Sequence, residues 1–403
     1  MNILFAAPWD QKFGGVTAVV GNLAKELLGK GHQAWFLYPG ENEVLSEKTT
    51  RLNFQGYELR LRAPSVENAS IKSRIGFALH LLGTLWQLYR LIKRHRIDIV
   101  NIHYPSDHFV YLALLHKICG FKLVVSVHGA DLFPEGRLRN EYRWGLKCIL
   151  RSADLVVAPS RSLLEDAVGV FPNLQHKGLF IHNGVSLEEF QFPSAPMVAK
   201  PKRYILCVAQ LGVKKGIDVL IRAFASLADM DHDLELWLAG NGPLRSQLEA
   251  VAHDLKIFER VRFLGFRDRD DICRLMNQCH FFVLPSRAEP FGIVIVEAMA
   301  CRKAVVASAV GGISEIIKHG VDGLLVSPDR PDELAAALRA LLTDESLRQR
   351  LGESGYAKTS DKFQWHITAD RYEEALIKLC DRNWRAVDKT SVRSGARTSS
   401  VGK

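Results

Sequence analysis

Twice along the chain, short apolar runs that stop at a glycine, histidine, serine or proline alternate with stretches of helical period. In the first half NILFAAP (2–8) precedes VTAVVGNLAKELLGKGH (16–32), and QAWFLYP (33–39), IDIVNIHYP (97–105), KLVVSVHGADLF (122–133) and ADLVVAPS (153–160) follow as further strands. The pattern starts again with YILCVAQL (204–211) and the helical IDVLIRAFASLA (217–228). Strands separated by helices pair in parallel with both faces covered, so each half is predicted to be a doubly wound α/β domain. A chain of 403 residues has room for two.

Between the halves, QFPSAPMVAKPKR (191–203) sets three prolines among short polar residues and reads as the linker. The expected organisation is one domain over 1–190, the linker, a second domain over 204–362, a closing helix within 363–382 and a tail over 383–403. That tail has no apolar period and is predicted to be disordered.

With 47% hydrophobic and 24% charged residues, the composition is that of a soluble globular protein. The seven cysteines are scattered and form no CxxC pair, which points to reduced thiols of a cytosolic protein, not a disulfide frame or zinc site. MNILFAAP has no basic leader and reads as a first strand. No run of eighteen apolar residues lacks a charge, so no membrane span is expected. The net charge of +9 is uneven: residues 1–190 hold 22 Lys/Arg against 17 Asp/Glu, and 381–403 hold 6 against 2. No RNA-recognition pattern, finger or basic recognition helix accompanies it, which argues against nucleic acid and for an anionic membrane surface. The helical stretch 74–96 ends in Arg90, Lys93, Arg94 and Arg96. It is either an ordinary buried helix with a solvated basic end or a surface that lies on anionic lipid.

PSRAEPFGIVIVEAMA (285–300) concentrates the chemistry. The strand HFFVLPS (280–286) runs into a loop with Glu289, and a helix opens near Pro290 to Gly292. Glu297 lies in an apolar run, where an unpaired carboxylate is costly. Either a partner inside the core answers it, or Glu289 and Glu297 both face a polyhydroxylated ligand at the carboxyl end of the sheet. His103 and His128 also follow strand ends. Gly14-Gly15 precedes the first helix without forming GxGxxG, and serves either a tight turn or an anion at the helix start. Gly311-Gly312 likewise precedes a helix.

A Glu, seven residues, then a Glu before Ala-Met-Ala resembles the retaining glycosyltransferases of family 4, with the GT-B fold of two Rossmann-like domains facing a central cleft. The resemblance covers about residues 1–380, most densely 203–330. It implies that Glu289 lies beside the transferred sugar and that Glu297 holds the ribose. Lys215 would clamp the donor diphosphate, helped by Gly15, Gly311 and Gly312, with Glu315 as the usual acid of that last loop. Phe266, just after Gly265, would neighbour the base. His128 would lie beside the sugar in the cleft, with Asp131 and His103 on the acceptor side. Gln210 stands where the family carries Arg, and Lys214 or Arg287 are candidates for the missing cation. The closing helix 365–380 would cross back onto the first domain.

The activity implied is hexosyl transfer from a UDP- or GDP-linked sugar to the hydroxyl of a glycan or lipid-linked acceptor. Envelope polysaccharide or glycolipid assembly is the implied setting, and no metal or other cofactor is required. A nucleotide-sugar epimerase of the same fold would turn over donor without acceptor. A nicotinamide dehydrogenase lacks its fingerprint here. A non-catalytic binding subunit would fit Gln210 but not the retained Glu289, Lys215 and His128.

Overall fold

The computed structural model describes residues 1–8, 15–50, 53–63, 71–133, 144–191, 203–227 and 230–381. Gly14, most of the linker and the expected disordered tail lie outside these residues.

The first sheet has eight strands in the order β3-β4-β2-β1-β5-β6-β7-β8. These are β1 (Asn2–Ala6), β2 (Gln33–Pro39), β3 (Ser46–Thr49), β4 (Gln55–Leu59), β5 (Ile99–His103), β6 (Lys122–Ser126), β7 (Leu155–Ala158) and β8 (Gly178–Phe180). All neighbours pair in parallel except β3 with β4. That short antiparallel pair forms from SEKT and QGYEL, whose polar residues give no strand signal in sequence. Helices α1 (Gly15–Gly29), α2 (Ile71–Arg94), α3 (Val110–Cys119), α4 (Trp144–Ser152) and α5 (Arg161–Val170) make the crossovers. Ser160 caps α5, its hydroxyl accepting from the Leu163 amide.

After α6 (Leu187–Gln191), the second sheet runs β11-β10-β9-β12-β13-β14, all parallel. Its strands are β9 (Tyr204–Val208), β10 (Glu235–Ala239), β11 (Val261–Gly265), β12 (Phe281–Leu284), β13 (Val305–Ser308) and β14 (Leu324–Val326). The helices here are α7 (Ile217–Ala225), α8 (Arg245–Asp254), α9 (Arg269–Gln278), α10 (Ile293–Ala300), α11 (Ile313–Ile316), α12 (Pro331–Thr343) and α13 (Glu345–Lys362). Strands β12 and β13 are buried at every residue. This explains their unbroken apolar runs, since helices cover both faces of a parallel sheet.

The chain changes units before residue 190. Val185 and Phe190 lie in the core of the second unit with Tyr204, Leu206 and Ile295. The prolines that mark a linker come only after this apolar segment has docked. The Val185 amide donates to the Phe363 carbonyl at 2.8 Å, so the outgoing and returning chains cross side by side. Helix α14 (Trp365–Cys380) then packs on α1, with Tyr372, Leu376 and Leu379 in one core with Val20, Leu23 and Leu27. Lys30 bridges Asp370 at 2.6 Å and Glu373 at 3.0 Å. Each large apolar side chain buried here contributes roughly 1.5–3 kcal/mol.

Candidate active site

The order of the second sheet reverses at β9, whose neighbours are β10 on one side and β12 on the other. The loops leaving the carboxyl ends of β9 and β12 therefore diverge, and a crevice opens between them. The first loop carries Gln210, Lys214 and Lys215; the second carries Ser286, Arg287 and Glu289. Lys215 Nζ meets Glu289 Oε2 at 2.7 Å, and the Ser286 hydroxyl donates to the same oxygen at 3.3 Å.

Backbone contacts hold the two loops together: the Arg287 amide donates to the Lys214 carbonyl at 2.7 Å. The Arg287 guanidinium is bidentate on Asp218, at 2.9 and 2.7 Å, and reaches Asp329 at 2.6 Å. It borders the crevice with its charge already answered. Gly311 adopts φ +49°, and a Cβ there would fall 2.2 Å from the Glu289 carbonyl oxygen. Only glycine lets the 311–312 turn lie against the Glu289 loop.

The opposite wall comes from the first unit. Tyr104, His128, Gly129, Ala130 and Phe133 face Lys214, Lys215, Glu289 and Pro290 across a cavity of about 810 Å³. That size suits a drug-sized or nucleotide-sized ligand. The units touch at its edge. Gly129 has φ +103°, and a Cβ on it would fall 2.2 Å from Pro290 Cγ. Ser160 Oγ donates to the Pro290 carbonyl at 2.6 Å.

His128 is neutral at physiological pH, because burial drives its pKa down to about 4. Its Nε2 lies 3.2 Å from Nδ1 of His103. His103 is completely buried; burial, reinforced by the neighbouring His128, pushes it well below the ordinary histidine range.

Residues 13–189 match the Glycosyltransferase Family 4 family, and residues 191–358 match Glycosyl transferases group 1. An uncharacterised glycosyltransferase of Methanocaldococcus jannaschii is 33% identical over 369 residues, covering 87% of this chain and 91% of the relative. The chain belongs to glycosyltransferase family 4. It is similar, too, to the N-acetyl-alpha-D-glucosaminyl L-malate synthase of Bacillus anthracis, at 27% identity over 89% of this chain and 93% of that one. In structure it resembles Anabaena HepE, solved in complex with UDP, with a TM-score of 0.74, 22% identity and coverage of 94% and 100% of the two chains. The two facing parallel-sheet units are thus those of a GT-B glycosyltransferase.

The structure brings His128, Gln210, Lys215, Glu289 and Gly311 of this glycosyltransferase to one cavity. Other residues singled out in sequence are placed elsewhere. Gly15, the exposed first residue of α1, does not line the cavity. Phe266 is exposed beyond β11 and lies off the cavity as well. Asp131 is buried and serves its own loop, accepting from the amides of His128 at 3.0 Å, Gly129 at 2.6 Å and Leu132 at 3.1 Å. Burial pushes its carboxyl up to about 6 against the pull of those donors. It shapes the turn that presents His128 and is not open to an acceptor.

Gly312 gives its amide to the Glu289 carbonyl at 3.0 Å, so that donor is already used. Glu315 reaches across to the first unit. It accepts from the amides of Arg161 and Ser162 at the start of α5, at 3.1 and 2.9 Å, and pairs with His182 at 2.9 Å. Against burial, these partners hold its carboxyl below the usual range. Its role in the structure is to clasp the units, not to face the cavity.

Glu297, on α10, is buried, and its Oε1 is gripped by Arg269 of α9. Arg269 also holds Glu189 at 2.7 Å and stacks on Phe190, with 4.4 Å from the guanidinium to the ring centre. Burial pushes the Glu297 carboxyl up, and Arg269 opposes that shift. Sequence patterning gives no hint of Arg269, one charge in the string RDRDD.

Proposed function

We propose that this glycosyltransferase moves a hexosyl group, with retention of anomeric configuration, from a UDP- or GDP-linked sugar to an acceptor hydroxyl in the cavity between its two units. One observation carries the reading: Lys215 and Glu289 form a pair at the carboxyl ends of the two strands where the sheet order reverses, directly facing His128. When the sugar leaves, charge develops on the diphosphate. Lys215 is a fixed cation for that charge, worth most where water is excluded. Glu289 accepts sugar hydroxyls and positions the ring. Neutral His128 offers the facing hydrogen bond without competing for the diphosphate. Gln210 adds hydrogen-bond capacity with no charge, leaving Lys214 and Lys215 as the cations of the phosphate site.

In this reading Arg269 fixes Oε1 of Glu297, and the second oxygen, Oε2, which accepts no hydrogen bond from the described residues, is the ribose acceptor. No metal is called for, and chelation with EDTA is expected to leave turnover unchanged. A glycan or lipid-linked glycan of envelope polysaccharide or glycolipid assembly is the acceptor class we assign. The test is proton NMR of the product formed from an α-linked donor. An α-linked product supports retention, and a β-linked one overturns it. Donor consumed with no acceptor present, giving an isomerised sugar, would replace transfer by epimerisation.

A further inference from the structure

Helices α2, α3 and α4 lie side by side over one face of the first sheet, and their inner residues join one core. Helix α2 is apolar on two sides. Leu81, Leu85, Leu88 and Leu91 pack inward. Ile75, Leu79, Leu82, Trp86 and Tyr89, spaced by four, three, four and three residues, form a second stripe that faces out. Leu79 is 76% exposed and Leu82 78%. A helix that covers a core from one side needs only one apolar stripe. Ile118 of α3, 70% exposed, and Trp144 at the start of α4 extend the apolar surface across the layer.

The charge on this layer is of one sign. The 24, 10 and 9 residues of the three helices include eight Lys or Arg and no Asp or Glu. Helix α14, on the opposite side of the sheet, carries Asp370, Glu373 and Glu374. Described carboxylates that border the layer are already engaged: Glu47 with Arg94 at 2.9 Å, Glu43 with Arg60 at 3.1 Å and with Arg62, Asp154 with His116 at 2.8 Å, and Asp107 accepting from the Leu146 amide at 2.8 Å. Arg90 lies over the Trp86 ring at 4.7 Å and Lys93 over Tyr89 at 5.7 Å. Amphipathic aromatic rings flanked by cations suit a boundary between headgroups and acyl chains.

We infer that the α2–α3–α4 face docks on the surface of an anionic lipid bilayer. Leu79, Leu82, Trp86 and Ile118 enter the headgroup boundary, and Arg90 and Lys93 meet the lipid phosphates. No helix among the described residues is long and apolar enough to cross a membrane, so the contact is peripheral. A second copy of the chain is a poor occupant, because a two-fold contact would set this cationic face against itself. The inference stands apart from the donor chemistry, since docking needs neither donor nor turnover.

The test is co-sedimentation of the full chain with phosphatidylcholine vesicles, with and without phosphatidylglycerol. Binding is expected only to the anionic vesicles and should weaken as salt is raised. Leu82→Glu and the pair Arg90→Gln/Lys93→Gln should each weaken it on the order of tenfold or more. Both changes lie on an outward face, and an unchanged circular dichroism melt will show that the fold is kept. Wild-type binding by either variant, equal binding to both vesicle types, or no binding at all would overturn the inference. So would a dimer in analytical ultracentrifugation that Leu82→Glu dissociates, which would make a second copy the occupant.

Discussion

The two glutamates of the 289–297 segment sit eight residues apart and live in different surroundings. Glu289 stands on a loop at a cavity wall, its one cation, Lys215, partly reached by solvent. Glu297 is one helical stretch later, buried in the second unit with its Oε1 held by Arg269, which is itself held by Glu189 and Phe190. The same residue type, in one motif, therefore lines the open cavity at one end and is almost wholly buried, with one oxygen tied to an arginine, at the other. A loop after a strand can turn its side chains toward a crevice, whereas a helix face inside a core must have its charges answered at home.

Removing the partners separates the two environments most sharply. Arg269→Met leaves Glu297 buried without its cation and is expected to cost about 3–5 kcal/mol in denaturant unfolding. Glu297→Gln should cost less, because Arg269 keeps Glu189. If both changes leave stability alone, the Arg269 pair is not the buried contact described above. Glu289→Gln is expected to do the reverse. Turnover should fall about 100-fold or more, of the order found when a group acting on transition-state charge is removed. Stability should stay within about 1 kcal/mol, since glutamine keeps a hydrogen-bond acceptor for Lys215, whose side chain is a quarter exposed and can reach water.

The smallest expected effect reports on the facing wall. With its folded-state pKa near 4, His128 refuses a proton that the unfolded chain accepts below about 6.5. Stability contributed by keeping it neutral is present above that value and lost as pH falls toward 4. Asp131, raised to about 6, works in the opposite direction below pH 6, where the folded state is the one that holds the proton. His128→Asn should therefore flatten the loss of stability between pH 7 and 5 by about 2 kcal/mol. An unchanged slope would mean that His128 already protonates in the folded protein.

Local sequence chemistry made much of the architecture legible. Continuous apolar strands such as FFVL and VVAS mark buried parallel strands, and glycine-bearing loops after them mark the crevice edge. Lys215, Glu289 and His128 were readable because each follows a strand by a few residues, at a position that the family resemblance marks. Contacts between segments far apart in sequence were not readable. Arg269 answering Glu297, Glu315 clasping the start of α5, and Asp218 neutralising Arg287 all depend on tertiary placement, and a charged loop residue gives no sign of which acid it will meet. The crossover at Val185 was hidden for a similar reason, because proline content marks a linker and not the apolar segment that docks before it. The two apolar stripes of α2 overlap in sequence, so patterning alone left 74–96 open between a buried helix and a lipid-facing surface.

The pair at the reversal of the second sheet is the centre of the account, and nucleotide binding tests it directly. Isothermal titration of UDP, GDP and ADP into the wild-type chain and into Lys215→Ala is the measurement to make. One diphosphate should bind the wild type clearly and bind Lys215→Ala at least about tenfold more weakly, as expected for a lost charge on a phosphate. Equal affinity in the two proteins would place the diphosphate away from Lys215 and contradict the site built on it.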